Sequence, residues 1–244
     1  MLKVKLENFI YHRLLKDNVS SNDLMEYKNE FDYSFVISYN NFIDEEYDII
    51  KKKSALIDLT KPIDMIFKNF KPTCRKHIRR TFNRQEFQVI KNIDDLESLY
   101  SFYKSCEMDR NWFPIPEEEM KNSYVMICKF NGIYCAGITA YSHKKKIRLG
   151  RIFSGRKSKI NIEKKFFSWA LRRLVYEYCI YGQENGFETL DLGGIDLTDE
   201  KKEGIVLFKK SFSPEIIPVK IGRYIKKDFY DIKLKIEKSG YDIT

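Results

Sequence analysis

The sequence lacks the features that would divide it into several parts. It contains no low-complexity run, no linker rich in proline, glycine and serine, and no internal repeat at a fixed period. The 244 residues, of which 43% are hydrophobic, are enough to bury a substantial core. We therefore expect one large domain, or one domain with an extension, and no long disordered segment.

Signals for membrane insertion and secretion are also lacking. No apolar run approaches the roughly 20 residues that a membrane-spanning helix needs. The first residues, Met1 to Glu7, alternate between apolar and charged side chains and do not resemble a signal peptide. We therefore expect a soluble, cytoplasmic protein without a transmembrane segment.

Patterns for metal binding and disulfide formation are missing as well. The five cysteines are scattered without C-x-x-C spacing, and His12, His77 and His143 lie far apart. We therefore expect reduced cysteines, mostly in the core, and no metal site. No Ser-His-Asp or Cys-His spacing stands out, although position along the chain alone does not exclude one.

Positive charge is in excess. The chain has 44 lysines and arginines against 35 acidic residues, a net charge of +9. This surplus favours an anionic partner, such as nucleic acid, a nucleotide-linked substrate or an acidic membrane surface. A solvated, lysine-rich surface explains the same composition, so the charge alone does not decide between them.

The residue pattern predicts a mixed α/β fold. Residues 1–60 form an irregular lead-in with short strands at 33–39 and 55–59. Residues 86–224 follow the order β-α-α-β-β-β-α-β-α-β, with an antiparallel meander over 124–153. The other predicted helices, including the long crossover helix, span residues 62–69, 73–83, 162–185 and 226–238.

One motif is more informative than the others. A predicted strand ends at Asp191-Leu192-Gly193-Gly194-Ile195, and a short helix within Gly204–Phe212 then carries Phe208 and Lys209. Paired glycines let the backbone turn sharply or approach a ligand, and open α/β sheets bind ligands at such strand ends. A lysine there offers positive charge where negative charge develops. A plain glycine turn and a solvated lysine are the alternatives.

Three basic segments are candidates for binding anionic groups. The predicted helix carrying Arg75 and Arg79, with Arg84 just beyond its end, could follow a phosphate backbone. Arg110 lies in an aromatic loop that could hold an anionic, stackable ligand. The loop 154–159 precedes the long helix, whose N-terminus favours phosphate. A solvated helix face, an aromatic plug and a solvated turn are the respective alternatives.

The element order and these motifs resemble the GNAT acyltransferase fold and, more narrowly, the Fem-type aminoacyltransferases that build peptidoglycan cross-bridges. The resemblance covers about residues 55–225. Its specific motifs are a D-[FL]-G-G-I strand end, here Asp191–Ile195, and a G-x-x-x-F-K-x-x-F segment, here Gly204–Phe212. The strand Ile57-Asp58-Leu59, the basic helix and the loop with Arg110 match more generic features.

This resemblance implies a GNAT-like α/β domain over residues 61–244, with a mixed, mostly antiparallel sheet flanked by helices. Residues 1–60 would form an N-terminal α/β extension or the remnant of a first such unit. The implied reaction moves an aminoacyl group from aminoacyl-tRNA to an amine of a nucleotide- or lipid-linked cell-wall precursor. No tightly bound cofactor is expected.

The resemblance also implies roles for individual residues. Lys209 would stabilise the oxyanion formed when an amine attacks an ester carbonyl, and Phe208 would shape the pocket. The expected substrate-binding residues are Asp191, Gly193, Gly194, Arg110, Arg75, Arg79 and Arg151. The expected donor-binding residues are Arg156, Lys157 and Lys159.

The chain departs from the Fem-type pattern in two ways. Fem-type enzymes carry two GNAT-like units, whereas one full unit is predicted here. Fem-type enzymes have an F-K-K-G-F-G segment, and this chain has Ser211 and Ser213 at the positions of its two glycines. Two alternatives stay open: an acyl-CoA-dependent N-acetyltransferase acting on an amino sugar or small amine, although the usual pyrophosphate loop is not visible, and a non-catalytic nucleic-acid-binding module.

Overall fold

The computed structural model describes residues 1–6, 9–42, 47–91, 93–108, 114–157, 162–196 and 203–226. The strands in these ranges are β1 (Leu2–Leu6), β2 (Phe9–Val19), β3 (Tyr33–Phe42), β4 (Asp48–Asp58), β5 (Phe87–Ile90), β6 (Tyr124–Phe130), β7 (Ile133–His143), β8 (Lys146–Ser154), β9 (Thr189–Gly194) and β10 (Glu215–Ile225). The helices are α1 (Ser21–Glu30), α2 (Ile63–Asn69), α3 (Pro72–Phe82), α4 (Leu96–Met108), α5 (Glu117–Lys121), α6 (Lys164–Glu184) and α7 (Glu203–Lys210), and a 3-10 turn spans Gly155–Lys157.

All these strands belong to one sheet, in the order β1-β2-β3-β10-β4-β9-β8-β7-β6-β5. The pairings of β2 with β3 and of β8 with β9 are parallel. The other seven pairings are antiparallel. Each parallel pair is joined by a crossover helix, α1 or α6. The predicted fold class, a mixed and mostly antiparallel sheet flanked by helices, is confirmed.

The predicted element order over residues 86–224 is also confirmed. Its meander turns at Asn131-Gly132, where both residues have positive φ, as a type I′ hairpin requires. The predicted helix 226–238 lies outside the described residues, apart from its first residue.

The expectation of short, irregular strands before residue 60 is wrong. β2 and β4 have 11 residues each, and the two short predicted strands are only parts of β3 and β4. Polar side chains interrupt the apolar pattern by which these strands would be predicted. β2 buries His12 and Arg13, and β4 carries three consecutive lysines, Lys51 to Lys53. The boundary at residue 60 stays a prediction.

Helices cover the sheet because each presents an apolar stripe to it. α6 places Phe167, Leu174 and Tyr178 in a core shared with α2, α3 and the strands β7 to β9. α4 and α5 close a second core over β6 to β8. All five cysteines are buried and free, as expected. Among the described residues, no helix is both long and apolar enough to cross a bilayer.

The tight packing under α4 depends on Gly137, which lies between two cross-strand neighbours. An added Cβ would stand 2.3 Å from the Phe153 ring and 2.6 Å from Cδ1 of Ile127. We expect Gly137→Ala to lower the free energy of unfolding by about 1–3 kcal/mol, since overpacking strains a close-packed core. Urea unfolding measures this change.

Gly204→Ala is the matched control. An added Cβ at Gly204 in α7 meets nothing within 4 Å, and alanine favours helices more than glycine. Its stability should be unchanged or slightly higher. A Gly137→Ala protein as stable as the parent would contradict the packing described for this core.

Candidate active site

The candidate site lies where β8 and β9 stop pairing. Their parallel ladder has three registered pairs, the last of which is Arg148 with Asp191. Beyond it, β8 continues to Ser154 and β9 to Gly194, and no further registered pair joins them in the described ranges. Open α/β sheets bind ligands at the carboxyl ends of such strands. The two strands therefore separate at the position where sheets of this kind bind ligands.

A β-bulge shapes this end of β9. Between the pairs Leu56–Asp191 and Ser54–Gly194, β9 contributes one more residue than β4. Gly193, within this step, has φ +89°, a conformation that strains a residue with a side chain. Its N–H donates to Oδ1 of Asp191 over 2.7 Å. The first glycine of the motif is therefore needed for the backbone to bulge at the site.

Asp191 is a fully buried acceptor for several donors. Besides the Gly193 N–H, it accepts from Tyr39 Oη over 2.7 Å, from Ser54 Oγ over 2.6 Å and from the Arg148 guanidinium. Burial acts to raise the pKa of Asp191, but Arg148 and these hydrogen bonds outweigh it and hold the pKa below its ordinary value. Asp191 is thus an ionised group that positions Arg148, and its direct contact with substrate stays a prediction.

Lys209 lies next to the bulge. It is only 6% exposed, and its Nζ donates to the Gly194 carbonyl. A Cβ on Gly193 would stand 3.4 Å from Nζ of Lys209 and 3.8 Å from Nη2 of Arg148. The lysine and the arginine therefore flank the same side-chain-free position. Such an arrangement can stabilise an anion that forms there.

Two other candidate residues, Phe208 and Arg151, contact residues outside the Arg148–Asp191–Lys209 cluster. The Phe208 ring packs edge-on against Phe212, with centroids 5.2 Å apart, and the Arg172 guanidinium lies 5.4 Å from its centroid. Arg151 is buried, with Nη1 3.8 Å from Oε2 of Glu107. Their roles in shaping the pocket and binding substrate stay predictions.

The remaining basic candidates are dispersed. Arg75 donates to the Lys68 and Phe70 carbonyls at the end of α2, and exposed Arg79 stacks on Phe67, so both belong to the α2–α3 hairpin. Arg156 is exposed in the 3-10 turn before α6. Arg110, Lys159 and the side chain of Lys157 lie outside the described residues, so nothing tests the expectations for them.

Sequence reasoning missed three members of the site: Arg148, Tyr39 and Ser54. Arg148 follows the alternation of an ordinary strand, and its burial becomes visible only when β9 and its carboxylate lie beside it. Tyr39 and Ser54 come from the segment interpreted as a lead-in, 152 and 137 residues away from Asp191. The available signal was a charged residue, Arg148, within a strand of the predicted meander.

Comparison with known proteins shows the fold. No protein-family model and no curated protein matches the sequence. A solved structure of FemX is similar over 96% of this chain and 85% of that chain, with a TM-score of 0.60 at 11% identity. The structure of L-PGS from Bacillus licheniformis is similar over 98% and 85%, with a TM-score of 0.54 at 14% identity.

A third similar structure is the C-terminal domain (DUF2156) of a putative lysylphosphatidylglycerol synthetase from Agrobacterium fabrum. It matches over 99% of this chain and 86% of that chain, with a TM-score of 0.60 at 13% identity. The chain therefore has a GNAT-like acyltransferase fold. More narrowly, the fold is of the Fem type, which confirms the resemblance at the level of fold.

The Arg148–Asp191 pair generates a prediction about stability and pH. Asp191→Asn should lower the free energy of unfolding by about 3–5 kcal/mol at pH 7, since it leaves a buried arginine without its counter-ion. Because the folded pKa of Asp191 is lowered, its contribution is complete above the unfolded value of about 3.9 and is lost as the pH falls through the folded value. The difference between the two proteins should therefore shrink below about pH 4.

Urea titrations at several pH values measure this difference. Glu188→Gln is the control, because its ion pair with Lys145 is exposed and 3.7 Å long. Such a pair should contribute no more than about 1 kcal/mol. An Asp191→Asn effect as small as that of the control would contradict the positioning role.

The two serines that replace family glycines differ in conformation. Ser213 has φ +48°, so it keeps a glycine-like backbone. Ser211 lacks a positive φ, is buried, and donates through Oγ to the Phe208 carbonyl over 2.6 Å. The family pattern therefore still fits the backbone at Ser213.

These serines predict opposite effects of the same substitution. Ser213→Gly should raise the free energy of unfolding by about 0.5–1 kcal/mol by relieving left-handed strain. Ser211→Gly should lower it by about 1 kcal/mol, because it removes a hydrogen bond and adds chain freedom. Thermal and urea unfolding measure both, and equal shifts of the same sign would contradict the two backbone conformations.

Proposed function

We propose that the protein is an N-acyltransferase that moves an aminoacyl or acyl group from an activated donor to an amine of a cell-envelope glycan or peptidoglycan precursor. The observation that carries this proposal is the pair of cations, Lys209 and Arg148, that both lie within 4 Å of the position a Cβ on Gly193 would take, where β8 and β9 diverge. Two further points support it: the chain has a Fem-type fold, and its sequence motifs resemble those of enzymes with this chemistry.

In the proposed reaction the acceptor amine attacks the carbonyl carbon of the donor. An N–C bond forms, the carbonyl oxygen becomes an oxyanion, and collapse of this intermediate breaks the C–O bond of an ester or the C–S bond of a thioester. The departing group leaves as an alcohol or thiol once it takes up the proton released by the amine. No covalent enzyme intermediate is needed.

The residues of the site supply electrostatic stabilisation. The Lys209 ammonium, held by the Gly194 carbonyl, would donate to the oxyanion, and Arg148 would add positive charge nearby. Asp191 fixes the guanidinium and stays ionised. It is unsuited to act as a base, because its lowered pKa and its four donors stabilise the carboxylate. Holding donor and acceptor together would supply much of the remaining rate enhancement.

Aminoacyl-tRNA and acyl-CoA both present an activated carbonyl on a polyanionic carrier, and either fits a basic protein. We favour aminoacyl-tRNA because of the Fem-type motifs at Asp191–Ile195 and Gly204–Phe212. An acyl-CoA donor is the second candidate. The acceptor is proposed to be a nucleotide- or lipid-linked amine.

Lys209→Ala should reduce kcat by about 10²–10³, the usual effect of removing one donor to an oxyanion. The measurement is mass spectrometry of product formed from UDP-linked precursors, with charged tRNA or acyl-CoA as donor. Lys210→Ala is the matched control, because it removes the adjacent lysine, which lies on a different face of α7.

The control should keep the turnover of the parent protein, and circular dichroism should show that both variants are folded at the assay temperature. Full turnover by Lys209→Ala would contradict the role of the lysine. Absence of transfer from both donor classes to nucleotide- and lipid-linked amines would contradict the proposed function.

A further inference from the structure

The outer side of the helical layer is strongly basic and takes no part in the chemistry proposed above. Between residues 61 and 84, which include α2 and α3, Asp64 is the one acidic residue. The basic residues of the same segment are Lys61, Lys68, Lys71, Arg75, Lys76, Arg79, Arg80 and Arg84. The Lys71 N–H donates to the Ser211 carbonyl over 2.9 Å, which joins this hairpin to the end of α7. We name the exposed sides of α2, α3 and α7 the basic helical surface.

Large apolar side chains are exposed on the same three helices. Met65 on α2 and Phe82 on α3 are each 51% exposed, and Ile205 and Leu207 on α7 are 47% and 56% exposed. Single exposed apolar residues are ordinary, but four on adjoining helices among many cations form an amphipathic surface. Such a combination is typical of proteins that lie on a lipid bilayer.

The arginines of this surface are held in place without being neutralised. The guanidinium carbons of Arg79, Arg80 and Arg84 lie 5.3, 5.0 and 5.3 Å from the ring centroids of Phe67, Trp169 and Phe166. Within the part of the chain that the structure describes, none of the three forms an ion pair. Stacking limits their side-chain freedom and leaves their charge available to an anionic partner.

We propose that the basic helical surface docks on a membrane that contains anionic lipids. Lysines and arginines would contact the lipid headgroups, and Met65, Ile205 and Leu207 would enter the boundary between headgroups and acyl chains. Three of the four exposed apolar residues are aliphatic, and Phe82 is the exception. Surfaces that bind single-stranded RNA present aromatic rings on which bases stack, so this mainly aliphatic set favours a bilayer.

The position of α7 connects this surface to the candidate site. Ile205 precedes Lys209 by four residues, so this exposed side chain lies about one helical turn from the buried lysine of the site. Docking through Ile205 would bring the site close to headgroups, where a lipid-linked amine is found. This last step rests on the proposed function, whereas docking itself does not.

Vesicle sedimentation with the full chain tests the proposal. The protein should bind vesicles of phosphatidylcholine mixed with phosphatidylglycerol, bind phosphatidylcholine alone weakly, and dissociate as salt is added. Arg79→Glu and Arg80→Glu should each weaken binding at least about fivefold, given the usual contribution of one charge at an anionic surface. The double variant Ile205→Ser, Leu207→Ser should weaken it about tenfold or more.

Matched controls remove similar side chains elsewhere. Lys144→Glu changes an exposed lysine in the β7–β8 turn, and Ile133→Ser removes an exposed isoleucine at the start of β7. Both should bind vesicles like the parent protein. Circular dichroism confirms that every variant is folded.

Equal binding to both vesicle types, no vesicle binding, or equal losses in the controls would each overturn docking through this surface. If the protein binds tRNA but not vesicles, and Arg79→Glu abolishes the tRNA binding, the surface binds nucleic acid and the docking proposal is overturned.

Lys209→Ala should keep vesicle binding. Transfer without vesicle binding would refute docking alone, and vesicle binding without transfer would refute the proposed function alone.

Discussion

The buried ion pair between Arg148 and Asp191 is the interaction on which the candidate site depends. The pair is also the last registered pair of β8 and β9, so it marks the point where the backbone pairing of these two strands ends. A buried arginine is costly unless a carboxylate and further hydrogen bonds compensate it. Tyr39 and Ser54 complete that compensation from β3 and β4, which ties the N-terminal strands to the centre of the site.

The bulge at Gly193 brings a second cation, Lys209, close to this ion pair. A positive φ and the absence of a side chain leave a small space that both Arg148 and Lys209 adjoin. The two positive groups come from different elements, a meander strand and a short helix, and meet because β9 and α7 are held together by the Gly194 carbonyl. In the proposed reaction, an anionic intermediate would be stabilised there without reorganisation of the protein.

Much of the fold could be predicted from the sequence, because local signals specify it. The apolar stripe of α6 and the Asn131-Gly132 turn are properties of contiguous residues, and both lie where expected. The motif glycines and Lys209 were likewise predicted from contiguous residues, and the structure brings them close together. Arg148 and Ser54 were not, since their importance comes from burial and from partners far away in sequence. For the same reason the long strands before residue 60 were missed: tertiary pairing outweighs their polar composition.

A double-mutant cycle on the transfer rate tests the central claim most directly. Parent protein, Asp191→Asn, Arg148→Lys and the double variant would be compared at a temperature where all four are folded. If Asp191 acts by positioning Arg148, the double variant should be no slower than the slower single variant. Losses that multiply, or an Asp191→Asn protein that keeps the full rate, would contradict a site organised by this pair.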